Sequence, residues 1–323
     1  MMRGIFSQQR LIVLLLLVAS ILVGLVAPSL IDKIKRSIYG VQAGVMLEGY
    51  AVGGLLRSEV EMLLDEIAPE FEKPPVNAEY NSAERRVVPE TVGQALNRER
   101  TLDAIFSAGR GQQVKAVLEP VHPPITHAYF QPVFRGDISR QAVSLMINVA
   151  WGNEYIPGML EVLAKYKVKA TFFFIGDWVE RFPSLFGQIV KAGHEIANHG
   201  YYHGHPNQMS EAELTDLIIK AQTVLEKAGA TPVKIFAPPA GEYNQQVIRV
   251  AAGLGFRTVL WTVDTIDWQR PAPEVIVDRV VKKAQNGALV LMHPTEPTLA
   301  ALPRIIELLM QQGYELVPVS ELL

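Results

Sequence analysis

The segment Asn198–Pro206 reads NHGYYHGHP and gathers His199, His203 and His205 within seven residues. Imidazole titrates near neutral pH and is a common metal ligand, so such a cluster points to metal binding or proton transfer. A spacing of four would set His199 and His203 on one face of a helix, but Gly200, Gly204 and Pro206 break helices. The expectation is a loop leaving the short strand Glu195–Asn198, with metal ligation favoured over a solvated polar loop. Further residues with chemical potential follow in order: Asp264 and Asp267 in DTIDW, then His293 in LMHP. Taken singly, a strand-end histidine such as His293 is more often a satisfied core histidine, and Asp264 or Asp267 could cap a turn.

The elements that must position these residues come from the rest of the chain. Its 323 residues are 49% hydrophobic and 20% charged, enough for a sizeable core in more than one domain. A net charge of -3 without a basic stripe argues against a nucleic-acid partner. The absence of cysteine excludes disulfides, thiolate metal sites and thiol nucleophiles.

Leu11–Ile31 carries no charge, and twenty-one helical residues cover a bilayer core of about 30 Å. The run is longer than the apolar part of a cleaved signal, and Pro28 directly follows Ala27, so an uncleaved anchor over residues 1–36 is expected. Arg3 and Arg10 precede it while Lys33, Lys35 and Arg36 follow it, which leaves its orientation open by charge. Residues 41–126 predict a small α+β domain. It would hold a helix opened by the capping box Ser58-Glu-Val-Glu61, a hairpin of Val76–Tyr80 with Arg85–Val88, a short helix Leu102–Phe106 and a strand Val114–Val117. Pro120, Pro123, Pro124 and Pro132 mark a stiff linker, assigned to residues 127–138.

From 139 to 323 strand and helix patterns alternate. Predicted strands are Ala142–Val149, Ala170–Ile175, Glu195–Asn198, Ile235–Ala237, Arg257–Val263, Ala288–Met292 and Glu315–Val319. Seven strands with intervening helices predict a deformed (β/α) barrel, a doubly wound open sheet being the rival that lacks its Gly-rich phosphate loop. A barrel would bring every strand's C-terminal end to one mouth.

Those ends carry Asn148 and Val149, then His199 and His203, then Ala237-Pro-Pro-Ala-Gly241, then Asp264–Trp268, then Leu291–His293. Together with VKATFFFIG at 168–176, HEIANH at 194–199 and WTVDTIDW at 261–268, they make residues 139–323 resemble the polysaccharide deacetylases of carbohydrate esterase family 4, the NodB-homology domain. The resemblance implies metal-dependent hydrolysis of acetamide C–N bonds in N-acetylated cell-wall glycan. It implies a divalent metal, zinc foremost, on His199 and His203, with His293 as the acid and Asp267 orienting it. Trp268, Leu291, Pro239 and Gly241 would surround the acetyl group, and cell-wall polysaccharide would be the partner, met outside the cytoplasm by a protein held in the membrane through residues 11–31. Separately, Gly53-Gly54-Leu55, a helix, a hairpin and Val117-x-x-Pro120 resemble a peptidoglycan-binding repeat of cell-wall proteins, a plain spacer being the alternative.

The departures from the deacetylase pattern are concentrated. Met146-Ile-Asn-Val-Ala150 stands where the family has threonine-phenylalanine-aspartate-aspartate-glycine, so Asn148 takes the base position and Val149 the metal-ligand position. Ala237 takes the place of the arginine that steadies the base. An amide is essentially non-basic and a valine offers no lone pair. Water, the Asn148 amide, Glu154 or His205 would have to complete a metal site, or no metal binds. Two functions follow: a polysaccharide deacetylase with an altered site, or a catalytically inactive glycan-binding or scaffolding pseudoenzyme.

Overall fold

The computed structural model describes residues 29–323. Of the apolar run Leu11–Ile31, all but the last three residues lie outside the described residues. Among the described residues no helix is long and apolar enough to cross a membrane. The described chain divides into two compact units, one made of the residues up to 76 with 91–123, the other of 77–90 with 124–323.

In the first unit, residues 29–39 form helix α1, strands β1 (Met46–Leu47) and β2 (Tyr50–Ala51) pair antiparallel, and helix α2 spans Arg57–Phe71. The helix starts ahead of the predicted capping box. Glu59, not Glu61, accepts the Leu56 N–H at 2.8 Å. Glu59 also takes both arms of the Arg36 guanidinium at 2.7 and 2.8 Å, and Arg36 foremost, then the Leu56 N–H, holds its carboxyl down at about 2.

Strands β3 (Glu79–Asn81) and β4 (Arg86–Val88) form the predicted hairpin, but they belong to the second unit. Ala78 packs with Phe130 and Ala252, and the Arg249 guanidinium lies 4.7 Å from the Tyr80 ring centre. Alternation within a hairpin shows that one face is covered without showing which core covers it. Strand β5 (Gly93–Leu96), helix α3 (Arg98–Ser107), strand β6 (Gln113–Val114) and strand β7 (Leu118–Val121) complete the first unit. Its core is built from Val45, Leu47, Val60, Leu64, Leu102 and Ile105. Residues 127–138 are not a free linker. His127–Phe130 form a 3-10 turn, and Val133 donates to the Thr258 carbonyl at 2.9 Å and accepts from the Leu260 N–H at 2.7 Å.

The second unit then runs β8 (Ala142–Val149), α4 (Ile156–Tyr166), β9 (Thr171–Phe174), α5 (Gly176–Arg181), α6 (Pro183–Lys191), β10 (Glu195–Asn198) and α7 (Glu211–Lys227). It continues with β11 (Ile235–Phe236), α8 (Gln245–Gly253), β12 (Arg257–Thr258), β13 (Val263–Asp264), α9 (Pro273–Lys283), β14 (Ala288–Met292), α10 (Glu296–Gln311) and β15 (Glu315–Leu316). These strands make an eight-stranded parallel sheet in the order β12-β11-β10-β9-β8-β14-β13, with β15 pairing with the start of β8.

The parallel sheet of this α/β fold curls into a half-barrel, consistent with the expected deformed (β/α) barrel, but with eight strands in place of seven. Arg257–Val263, predicted as one strand, splits into β12 and β13, which form the two opposite ends of the sheet. Residues 259–262 carry the chain between those ends, where Thr262 N–H donates to the Leu289 carbonyl at 2.9 Å.

Alternation along β8 decides which residues can reach a site. Val143, Leu145, Ile147 and Val149 pack with Met159 and Leu163 of α4, whereas Ala142 and Met146 pack on the other face with Phe173, Ala197 and Leu289. Strands buried on both faces read as continuous apolar runs, as β8 does.

His194, just before β10, is buried against Phe172 with ring centres 5.1 Å apart, and its Nδ1 accepts the Ala170 N–H at 3.3 Å. Burial first, then Lys169, pushes it down from 6.5 to about 4. The folded state holds the neutral ring, so this contribution is complete above 6.5 and is lost as the pH falls toward 4. Denaturant unfolding measured across that window should show stability falling with acid by about 1.4 kcal/mol per pH unit from this group. His194→Phe should flatten the slope by that amount, and an unchanged slope would refute the assignment.

Candidate functional site

The C-terminal ends of β8, β10, β13 and β14 open on a pocket of about 350 Å³. Asn148, His199, His203, Asp264, Leu291 and His293 line it, together with Ala240, Gly241 and the indoles of Trp151, Trp261 and Trp268. Strand ends positioned by a parallel sheet are where such folds collect polar groups.

His199 follows the last residue of β10 and is 2% exposed. Its backbone N–H extends the pairing to the Phe174 carbonyl at 2.9 Å, and its Nδ1 lies 2.6 Å from the Ala237 carbonyl. A carbonyl only accepts, so Nδ1 carries the proton and Nε2 keeps its lone pair. Burial pushes His199 down to about 3, with the Ala237 hydrogen bond opposing and His203 and His293 adding to the fall. Its ring is therefore neutral near physiological pH. The His203 ring centre lies 5.5 Å away at 68°, and burial foremost lowers its pKa as well.

His293 follows β14 and is held by Asp267, which is fully buried. Asp267 accepts the His293 backbone N–H at 2.6 Å, its Nδ1–H at 2.8 Å and the Thr298 hydroxyl at 2.6 Å. The ring's other face is fixed by Trp151, stacked at 5.7 Å and 9°. The nitrogen left free to act is Nε2.

Asn148 lies near the end of β8, is 4% exposed and lines the pocket, and its Oδ1 has no hydrogen-bond partner among the described residues. Val149, one residue on, does not point into the pocket. It is fully buried in the helix-facing cluster with Ile147 and Met159. The other residues considered as completing ligands lie elsewhere. Glu154 is exposed and off the pocket lining, and His205 is exposed and pairs through Nδ1 with Glu242 at 2.8 Å. Among the described residues no group of three or more His, Asp or Glu side chains is arranged to hold a metal.

Of the residues expected around an acetyl group, Trp268, Leu291 and Gly241 line the pocket, while Pro239 is buried outside its lining. Gly241 sits at φ +66, and a Cβ there would come 2.4 Å from the Trp261 indole, so only glycine permits this wall. Asp264 does cap its turn, accepting the Ile266 N–H at 2.8 Å, and faces the pocket too. Trp151, Trp261 and Ala240 were not anticipated. Trp151, three residues after Asn148 in an otherwise altered motif, was the available signal.

Comparison with known proteins agrees with this geometry. Residues 135–259 match the Polysaccharide deacetylase family model, and residues 52–116 match that of the "Putative peptidoglycan binding domain". The chain is 39% identical to the uncharacterized protein YlxY of Bacillus subtilis over 79% of this chain and 81% of that one. It is 42% identical to a peptidoglycan-N-acetylglucosamine deacetylase of Bacillus cereus over 52% of this chain and 82% of that one. Among solved structures, a wild-type protein of Bacillus anthracis described as a CE4 family pseudoenzyme matches with a TM-score of 0.59 and 35% identity, covering 81% of this chain and 94% of that one. A mutant of that pseudoenzyme, described as having restored enzymatic activity, matches with a TM-score of 0.59 and 34% identity over 81% and 97% of the two chains. The chain belongs to the polysaccharide deacetylase family.

Proposed function

We propose that the pocket binds an N-acetylated sugar of cell-wall glycan and that its hydrolytic step has been lost at Asn148. Amide hydrolysis needs a base to take a proton from water and an acid to give one to the departing amine. The acid half is present, since Asp267 holds His293 with one ring nitrogen free. The base half is not, and that single observation carries the reading: the buried polar group at its position is the Asn148 amide. Losing a general base costs about 10²–10⁴ in rate. The description of a structural relative that covers 81% of this chain as a pseudoenzyme supports the same view.

The donors present fit a divalent metal only in part. His199 and His203 supply two imidazoles, and Asn148 Oδ1 adds a neutral oxygen where an anionic ligand would bind more tightly. A bound metal would acidify water and polarise the acetyl carbonyl. The free Asn148 Oδ1 therefore favours one second reading, a weakly metal-dependent, slow deacetylase. In either case the protein acts at the cell wall. The first unit would hold peptidoglycan, and the apolar run Leu11–Ile31 would anchor both units outside the cytoplasm.

The full chain should quench its pocket tryptophans saturably with N-acetylglucosamine oligomers while releasing no acetate from them or from peptidoglycan above the buffer rate. Acetate release with stoichiometric metal, abolished in the His199→Ala, His203→Ala double variant, would replace the first reading by the second.

A further inference from the structure

Helix α1 carries an apolar face that the first unit leaves uncovered. Leu30, Ile31, Ile34 and Ile38 are each half or more exposed. At about 100° per residue they fall within one stripe along the helix, roughly 100° wide. None of them joins the hydrophobic core of the first unit. What ties α1 to that unit lies on the opposite side, where Arg36 donates to Glu59 at 2.7 and 2.8 Å and to the Gly54 carbonyl at 3.2 Å. A helix in water draws most of its stability from burying such a face, so this one is built for a partner.

The surroundings of the face identify that partner. α1 begins inside the uncharged run Leu11–Ile31, so its first turn holds the last residues of the run. Ile34 and Ile38 continue the apolar surface past the run's end, among Asp32, Lys33, Lys35 and Arg36. Asp32 and Arg36 pair with each other at 2.8 Å. Lys33 and Lys35 have no ion-pair partner among the described residues, and helical spacing sets one on each side of the stripe. Isoleucines bordered by free lysines suit the lipid–water interface, where acyl chains take the apolar face and anionic headgroups take the ammonium groups. Pro28 stands directly before α1 in sequence, and proline bends or begins a helix, so α1 is free to leave the direction of the preceding run. A helix pair is the weaker fit, since coiled coils sustain their stripe over about three or more heptads and this one covers about two turns.

We infer that α1 lies along the bilayer surface, with Ile34 and Ile38 in the outer acyl region and Lys33 and Lys35 at the headgroups. The inference rests on the reading of Leu11–Ile31 as a membrane anchor. It adds a second contact with lipid, and through the Arg36–Glu59 clamp that contact holds the first unit against the membrane in place of a free tether.

The chain has no cysteine, so single-cysteine variants each take one environment-sensitive fluorophore. The full chain carrying Lys33→Cys, Ile34→Cys or Ile38→Cys would be labelled and reconstituted into vesicles of phosphatidylcholine with roughly a third phosphatidylglycerol. Each is measured with and without lipids brominated high on the acyl chain. Ile38 is the decisive site, because on a helix running straight out it stands about 10 Å beyond the end of the run, whereas on a helix lying flat it meets acyl chain. Labels at 34 and 38 should lose about half or more of their emission to the bromolipid, and the label at 33 less than about a tenth. No quenching at 38 in a chain that stays with the vesicles through alkaline carbonate would overturn the surface helix and leave the anchor reading intact. A chain that carbonate strips from the vesicles would overturn both. Emission shielded from water but untouched by bromolipid, together with disulfide-linked dimers of unlabelled Ile38→Cys, would assign the face to a second copy and overturn the lipid contact.

Discussion

Asn148→Asp should raise acetate release from N-acetylated glycan by about 10² or more, up to the ~10⁴ that a general base supplies. The substitution exchanges one nitrogen for oxygen in a side chain of the same shape, so packing at the end of β8 is preserved. The site is 4% exposed and its amide Oδ1 has no partner, so the new carboxylate keeps a lone pair free for water. Burial also raises a carboxyl's pKa toward neutrality, the range in which a base works best. Ala237 gives that carboxylate no guanidinium to lower its pKa again. Val149→Asp is expected to do the opposite of what a ligand position suggests. Its side chain is fully buried among Ile147 and Met159, so an unpaired carboxylate there should cost several kcal/mol. Acetate assays and denaturant unfolding on both single variants check the pair. No rise in turnover for Asn148→Asp would show that the defect lies in the metal ligands and not in the base.

That contrast between neighbours marks what the sequence could and could not reveal. The motifs on β8, β10 and β14 were legible because buried parallel strands are continuous apolar runs ending in polar residues, and all three strands have the bounds expected of them. His199, His203, Asp264 and His293 converge as strand order implies. The split of Arg257–Val263 was not legible, since RTVLWTV contains no turn residue and only pairing with β11 and β14 separates its two ends. The side-chain direction of Val149 was hidden for a related reason. Motif alignment assigns positions, whereas the period of two along β8 assigns faces, and the face puts Asn148 inward and Val149 against the helices. Trp151 escaped because its role lies in stacking on a histidine 142 positions later, a contact no local pattern carries.

Asp267→Ala should be among the most destabilising substitutions in the second unit, by about 3–5 kcal/mol. Asp267 is fully buried and accepts three hydrogen bonds, from the His293 backbone, the His293 ring and Thr298. Alanine would strand three buried or half-buried donors at once, and each orphaned donor costs about 1–3 kcal/mol, partly relieved by water entering the space. Asp267→Asn should cost less, because the amide oxygen still accepts and the Thr298 hydroxyl can rotate, but its NH₂ must face a donor. The loss also frees the His293 ring, which Trp151 alone would then hold. A double-mutant cycle with His293→Ala isolates that coupling. If Asp267 acts through His293, the coupling energy is a large fraction of the single-variant loss, and Asp267→Ala weakens sugar binding in the pocket as well as stability. Additive losses would mean instead that Asp267 serves the Thr298 end of helix α10, and that the His293 ring is positioned by stacking.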